Sequence, residues 1–346
     1  MQPFVSFCFT TYKRQDYLKK TLESILLQSF SNYEVIVSDN DPEASGKSVV
    51  ESFNDPRFSY YTNEKNLGMK KSFNRSLEKS KGEFIVMIAD DDPVYPDMLE
   101  TLIDLKEKHP GYGMYLGGCN WFCTNPEIAS LYGLRVGMNS CLANKQINTV
   151  DAYSASDFLK NFFNFNIFPS YLWSTGMVRR EILVEKGGVP DYDTAFLGDY
   201  AYLSIMGSHS GCVVINRALG HQTIHEQNFG RTQNEQIKTA GTNFIEYVSG
   251  KIKHVQDWPE IQRKLNHFVA VWIVTHLSFL NRYYSIFPHL ADVNLPQYEK
   301  EIFVLPFMKS YRLKYILKKN FPLTHDFIVR QKRKLKKGNP KNSSQG

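Results

Sequence analysis

A chain of 346 residues can build one large domain or two smaller ones, each with an ample core. Apolar residues at 42% and charged residues at 22% give the balance of a soluble globular protein. The net charge of +6 is placed unevenly. Residues 305–346 hold twelve Lys/Arg against the single acid Asp326, so a tail of +11 leaves the preceding residues at −5. An acidic body, and a basic run without interleaved aromatics, exclude nucleic acid as the expected partner. No basic, apolar leader opens the sequence, so no secretory signal is expected. The longest apolar candidate for a span, Phe268 to Leu280, is too short for a bilayer and suits a core or interface helix. The five cysteines, Cys8, Cys119, Cys123, Cys141 and Cys212, form no CxxC pair, and buried inert thiols in a reducing, cytosolic compartment are expected.

In chain order, Phe4 to Phe9 reads as a first strand, ending in the polar run Thr10-Thr11-Tyr12-Lys13-Arg14. Asp16 can cap a helix whose Leu18, Leu22, Ile25 and Leu26 share one face. Tyr33 to Ser38 is a second strand ending in Asp39-Asn40-Asp41-Pro42, and a helix follows near 47–53. Phe58 to Tyr61 is a third strand. Asn66-Leu67-Gly68 turns into a helix over 69–79, and Gly82 opens a fourth strand. Strand and helix alternate four times in about ninety residues, which argues a mostly parallel sheet with helices on both faces. A helix over 97–109, a strand over 114–120, a short helix over 179–186, a helix from Gly198 to Met206 and a strand over 213–215 complete the pattern. Residues 125–150 are polar and irregular. The aromatic cluster over 161–173 packs as core or offers Tyr171 or Trp173 to a sugar ring. Beyond Asn234 the alternation stops and the chain reads as helical.

The fourth strand carries the chemistry. Five apolar residues, Ile85 to Ala89, run into Asp90-Asp91-Asp92, and Pro93 and Pro96 stop the strand. A short apolar run of this kind is buried on both faces, which puts the acids at its carboxyl end, where open α/β sheets bind ligands. Three adjacent carboxylates repel one another unless they are solvated in a turn or neutralised by an oxygen-preferring divalent cation. The familiar phosphate signatures are missing. No GxGxxG follows the first strand, and Gly46-Lys47-Ser48 lacks the glycine five positions earlier that a P-loop needs, since Asp41 stands there. No HExxH occurs around His225 and Glu226 either.

Taken in order, Phe4 to Arg14 with Thr-Tyr-x-Arg, Gln28-Ser29-Phe30, Val37-Ser38-Asp39, Asn66-x-Gly68, Lys81-Gly82-Glu83-Phe84-Ile85, the acids and Pro96-Asp97 resemble a family-2 glycosyltransferase of the GT-A fold. The resemblance covers roughly residues 3–230. It implies that residues 1–233 form the glycosyltransferase domain, with a nucleotide-binding half over 1–110 and an acceptor half over 111–233. A helical region over 234–325 and a basic tail over 326–346 follow.

The resemblance also implies roles. Thr10, Tyr12 and Arg14 would line the nucleotide site, Asp39 would accept the N3–H of a uracil-type base, and Asn66 and Gly68 would border the nucleotide. The family's Asp-x-Asp-Asp motif falls on Ala89 to Asp92, so Ala89 stands where its first acid would be, and Asp90 is the candidate to replace it at the ribose. Asp91, supported by Asp92 and His225, would hold Mn²⁺ or Mg²⁺. Asp199 would be the general base, although Gly198 stands where relatives often have Glu. The implied reaction is inverting transfer from a nucleotide sugar, of UDP type, to a glycan or lipid-linked acceptor in surface polysaccharide synthesis. The alternative, favoured by Ala89 and Gly198, is a catalytically inactive scaffold that binds nucleotide or partner glycosyltransferases. A sugar-1-phosphate nucleotidyltransferase is disfavoured, because its glycine-rich amino-terminal loop is missing. The tail is either a solvated terminus or an attachment to an anionic inner-leaflet surface, which would make a cytoplasmic protein peripheral to the membrane. The C-terminal helices could support a homo-oligomer.

Overall fold

Seven consecutive buried residues, with no polar face to present to water, make β1 (Val5–Thr11) an interior strand. The computed structural model describes residues 2–194, 196–225, 228 and 234–320. β1 pairs in parallel with β2 (Tyr33–Asp39) on one side and β4 (Phe84–Ala89) on the other, and β3 (Phe58–Thr62) extends the sheet beyond β2. The crossovers are α1 (Gln15–Leu26), α2 (Lys47–Ser52) and α3 (Met69–Lys79), and α4 (Met98–Lys108) follows β4. α1 buries Leu18, Leu22 and Ile25, the stripe that its three-four spacing predicts. Gly82 is required where β4 begins, because a Cβ there would lie 2.6 Å from the Ser6 amide nitrogen.

The second half of the sheet is mixed. After β5 (Met114–Cys123) come α5 (Pro126–Tyr132), β6 (Gly137–Ser140), β7 (Val150–Tyr153) and α6 (Ala155–Phe162). Then follow β8 (Gly176–Arg179), α7 (Arg180–Glu185), α8 (Gly198–Ser210) and β9 (Cys212–Ile224). The strand order is β3-β2-β1-β4-β8-β5-β9-β7, with β6 on β5, and the four-residue β8 joins the halves antiparallel to both β4 and β5. The expected strand over 213–215 is thirteen residues long. Its polar continuation stays in the sheet because β5 runs alongside in parallel, with register shifts around Gly118. The irregular reading of 125–150 missed α5. Its signals were present: the Asn125 side chain accepts from the amides of Glu127 and Ile128, Pro126 opens the helix and Gly133 closes it in the left-handed region.

The aromatic cluster is core: Tyr171 and Trp173 are both buried, and Trp173 sits edge-on to Phe73 and Tyr202. All five cysteines are buried and none is in a disulfide. The chain divides into two compact units between Leu265 and Asn266, inside α10 (Trp258–Ile286). The first unit includes α9 (Ile237–Ile252), which buries Ile237, Ala240, Phe244, Val248 and Ile252, with Phe244 and Tyr247 against the ring of Tyr192. The second unit, described by itself, contains α11 (Leu295–Ile302) and α12 (Arg312–Asn320). No helix among the described residues is long and apolar enough to cross a membrane. The basic tail over 326–346 lies outside the described residues.

If α9 belongs to the first unit, Phe244→Ala should lower stability by about 3–5 kcal/mol, the usual cost of truncating a fully buried phenylalanine. Urea unfolding would measure it. A loss below about 1 kcal/mol would detach α9 from this core.

Candidate active site

The carboxyl ends of β1 and β4 open on a cleft of about 370 Å³. Its lining includes Thr10, Tyr12, Arg14, Asn66, Gly68, Asp90, Asp91, Asp92 and Asp199. Nine of the eleven residues singled out from sequence therefore share one wall. A wider surface groove of about 750 Å³ lies beside α2 and β3, but it gathers no buried carboxylates.

The acid triplet is not solvated: Asp90, Asp91 and Asp92 are all buried. Asp90 is held from the β1–α1 side. Thr11 Oγ1 donates to its carboxylate at 2.8 Å, Arg14 Nη1 approaches at 3.4 Å, and Thr21 Oγ1 donates to its backbone carbonyl at 2.7 Å. Asp91 Oδ2 lies 3.0 Å from Arg14 Nη1 and 3.0 Å from His225 Nε2. The His225 ring stacks on Tyr17 at 4.6 Å between centroids, and its amide donates to Asn228 Oδ1 at 2.8 Å. Burial, then the charge of Asp91, pushes Asp90 up to about 7, against the pull of Arg14 and Thr11. Burial, then Asp91 and Asp199, raises Asp92 well above the ordinary carboxylate range. Asp90 and Asp91 share the Arg14 guanidinium, and desolvation is the main cause of the upward shifts of Asp90 and Asp92.

Asp199 comes from the other half of the sheet. It sits in the first turn of α8, whose N-terminal flank, Leu197, holds φ 62° in the left-handed region. A non-glycine residue in that region stores strain next to the site. Burial is the main cause that raises Asp199 to about 6, with the Asp91 charge adding to it. A Cβ at the neighbouring Gly198 would meet nothing within 4 Å, so the place of an acid there is open space.

Asp39 does not line the cleft. Its carboxylate is fully buried and accepts from the amides of Asp41 and Gly46, both at 2.8 Å, and from the Tyr60 hydroxyl at 2.6 Å. With three donors on two oxygens it orders the loop over 40–46, and the neighbouring Asn40 faces the cleft instead. Asn40 Oδ1 accepts from the Leu67 amide at 3.2 Å, and Asn66 Oδ1 accepts from the Gly68 amide at 2.8 Å. Gly68 takes φ 80°, a conformation that glycine adopts at no steric cost.

Sequence reasoning also missed Thr11, Tyr17, Gln222 and Asn228. Thr11 was findable, because it stands in the polar run that supplied Thr10 and Arg14. Tyr17 acts on His225 through a tertiary contact, Asn228 through a local turn three residues on, and Gln222 reaches the cleft because β9 is long. Among the described residues, no three His, Cys, Asp or Glu side chains converge as a metal-binding group, so the expected trio of Asp91, Asp92 and His225 is not drawn together. Asp91 and His225 alone converge. Their 3.0 Å separation matches two adjacent ligands of a small divalent cation bound at about 2.1 Å from each.

Known proteins bear on this geometry. The family description "Glycosyl transferase family 2" matches residues 6–161. A GalNAc(5)-diNAcBac-PP-undecaprenol beta-1,3-glucosyltransferase of Campylobacter jejuni is 33% identical over 120 residues, 34% of this chain and 38% of that protein. The likeness thus spans little over a third of that relative's length. Among solved structures, S. aureus TarS 1-349 in complex with UDP-GlcNAc superposes with TM-score 0.61 at 17% identity, covering 87% of this chain and 79% of that one. The mannosyltransferase PcManGT from Pyrobaculum calidifontis, in complex with GDP-Man and Mn²⁺, superposes at 0.51 and 15% identity over 93% of this chain and 88% of its own. At such identities these two establish the GT-A fold alone. Residues 6–161 of this chain are a glycosyl transferase family 2 domain.

Proposed function

We propose that the protein is an inverting glycosyltransferase, moving a sugar from a UDP-type donor to a hydroxyl of a lipid-linked or glycan acceptor in surface polysaccharide synthesis. The observation that carries this reading is the convergence of Asp199 from α8 with the acid triplet and Arg14 on one cleft. The donor class draws support from the UDP-GlcNAc bound to TarS, and the acceptor class from the undecaprenol named for the Campylobacter relative.

In this reading Thr10, Tyr12, Asn66 and Gly68 bind the nucleoside, and Asp90, fixed by Thr11 and Thr21, takes the ribose. Asp39 acts one layer below, by holding the loop that presents Asn40. Arg14 bonds Asp90 and Asp91 together and stands close to a leaving diphosphate. Asp91 and His225 are the pair that fits Mn²⁺ or Mg²⁺, with Asp92 behind them. Such an ion, when bound, offsets charge on the departing diphosphate, worth several kcal/mol. Asp199 accepts the acceptor hydroxyl's proton as that oxygen attacks the anomeric carbon from the face opposite the leaving group. The bond to the diphosphate breaks as the new one forms, through an oxocarbenium-like state, and the anomeric centre inverts. The pull on the proton suits a base whose affinity burial has raised to about 6: it remains deprotonated at neutral pH and is more basic than an ordinary aspartate. The protein would work at the cytoplasmic face of a membrane, where lipid-linked acceptors lie.

Ala89, lining the cleft where relatives carry an acid, keeps the inactive-scaffold reading alive. Slow UDP-sugar hydrolysis that needs Asp199 separates the two readings: an active transferase shows it and a scaffold does not.

Three measurements follow. Asp199→Asn should keep donor affinity within about threefold and lose at least about 10²-fold in kcat. Weakened donor binding with intact turnover would move Asp199 to the nucleotide. Because the deprotonated form is the active one, wild-type kcat should rise with pH through about 6 and be roughly tenfold higher at pH 7 than at pH 5. A flat profile over that range would contradict the assignment of the base. For Asp91→Asn, the thermal stabilisation by UDP that Mn²⁺ enhances in the wild type should disappear. An unchanged Mn²⁺-dependent shift in a melting assay would remove Asp91 from the ion.

A further inference from the structure

In the second unit, α12 is anchored mainly by Tyr315, with Lys318 Nζ donating to Thr275 Oγ1 at 3.1 Å and Lys319 Nζ paired with Glu299 at 2.7 Å. Tyr315 is buried, packs on Phe303 at 5.1 Å between ring centroids, accepts from Asn281 Nδ2 at 2.6 Å and donates to Glu299. At about 100° per residue, Leu313, Ile316, Leu317 and Asn320 fall on the side turned away from Tyr315. Leu313 is 67% and Ile316 40% exposed. Arg312 and Lys319 border this apolar strip on one side, Lys314 and Lys318 on the other, and α12 contains no acid. Val304, just before it in sequence, is 66% exposed as well. The twenty-six residues that continue the chain add seven Lys/Arg against Asp326 alone.

We propose that α12 docks on an anionic phospholipid surface. Leu313, Ile316 and Leu317 enter the boundary between headgroups and acyl chains, while Arg312, Lys314, Lys318 and Lys319 meet lipid phosphates. An aliphatic strip flanked by cations on both borders is the arrangement of an interfacial helix. Charge selects the occupant. A second copy seated on the same face would bring four cations of one helix against four of the other, with the basic continuation adding to the repulsion. A lipid surface offers the opposite charge and a hydrocarbon layer together. The proposal rests on the reading that the protein works at a membrane face, and it assigns that contact to a folded helix in addition to the tail.

The test is sedimentation of the full-length protein with vesicles of phosphatidylcholine alone or mixed with phosphatidylglycerol. Wild type should bind the mixed vesicles, release with rising salt, and ignore the neutral ones. Leu313→Ser/Ile316→Ser should weaken binding at least about tenfold with little change in melting temperature, since both side chains are largely exposed. Should that variant fold poorly, Arg312→Gln/Lys314→Gln provides a second measurement, with an expected loss of several-fold. Neutralising Lys332, Arg333, Lys334, Lys336 and Lys337 to Gln reports the tail separately. Full binding by both α12 variants, with loss only in the tail variant, would overturn the proposal and leave the membrane reading standing. Absence of binding by wild type would overturn both. A wild-type dimer that becomes monomeric in the serine variant, with vesicle binding unchanged, would give the strip to a second copy.

Discussion

A buried run of three carboxylates with a fourth, half-buried, beside it is the constraint to which the rest of the structure answers. Asp90, Asp91 and Asp92 have lost most of their water, and among the described residues Arg14 is the permanent positive charge paired with Asp90 and Asp91. Burial of this kind opposes folding, since each desolvated charge must be neutralised, hydrogen-bonded or paired. The protein does some of each. Asp90 and Asp92 are pushed toward their neutral forms, Thr11 and Thr21 bond Asp90, and Asp91 takes both Arg14 and His225. A site strained in this direction has a surplus of negative potential, which suits a bound cation and a proton acceptor. Perturbed acids gathered in a cleft are the physical mark of a functional site.

The fold meets the constraint by dividing labour along the sheet. The parallel half delivers the triplet at the tip of β4, with the β1–α1 segment beside it, so Thr11, Arg14, Tyr17 and Thr21 reach Asp90, Asp91 and His225 from one connected piece of chain. Its register, with Thr10 opposite Ala89, fixes the heights of the two loops relative to one another. The mixed half supplies Asp199 and His225 from α8 and the end of β9. β8 is the joint between the halves, and because it runs antiparallel to β4 and β5 it lets two differently wound pieces share one continuous sheet.

What was legible in the sequence followed from local rules. An apolar run that ends in acids and prolines is readable without any tertiary knowledge, and so are the three-four stripe of α1 and the alternation that predicts a parallel sheet. What was not legible depended on partners distant in the chain. Asp39 has the look of a cleft acid, since it ends β2 as the triplet ends β4. Its surroundings are set by Tyr60 on β3 and the Gly46 amide before α2, which both donate to Oδ2, and by the Asp41 amide on Oδ1. Trp173, packed edge-on to Phe73 and Tyr202, is a core residue that also reaches the cleft lining, a double position that no local pattern announces. β6, β7 and β8, at four residues each, are too short to carry a readable period, and they are strands because a neighbour holds them.

The same distinction explains why Asp91 and Asp92, adjacent in sequence and identical in chemistry, part in environment. The triplet forms a turn just past β4, with the Asp92 amide reaching back to the Ala89 carbonyl at 3.4 Å, and the turn sends neighbouring carboxylates in different directions. Asp91 turns toward Arg14 and His225. Asp92 turns toward the Thr223 amide and feels Asp199, so it belongs electrostatically to the base as much as to the cation site. Its negative charge, whenever present, makes Asp199 hold its proton more firmly. Under the proposed roles, a cation held by Asp91 and His225 would act in the opposite sense on both acids. Cation binding and the basicity of Asp199 would then be coupled through the middle of one three-residue run, with no moving part required.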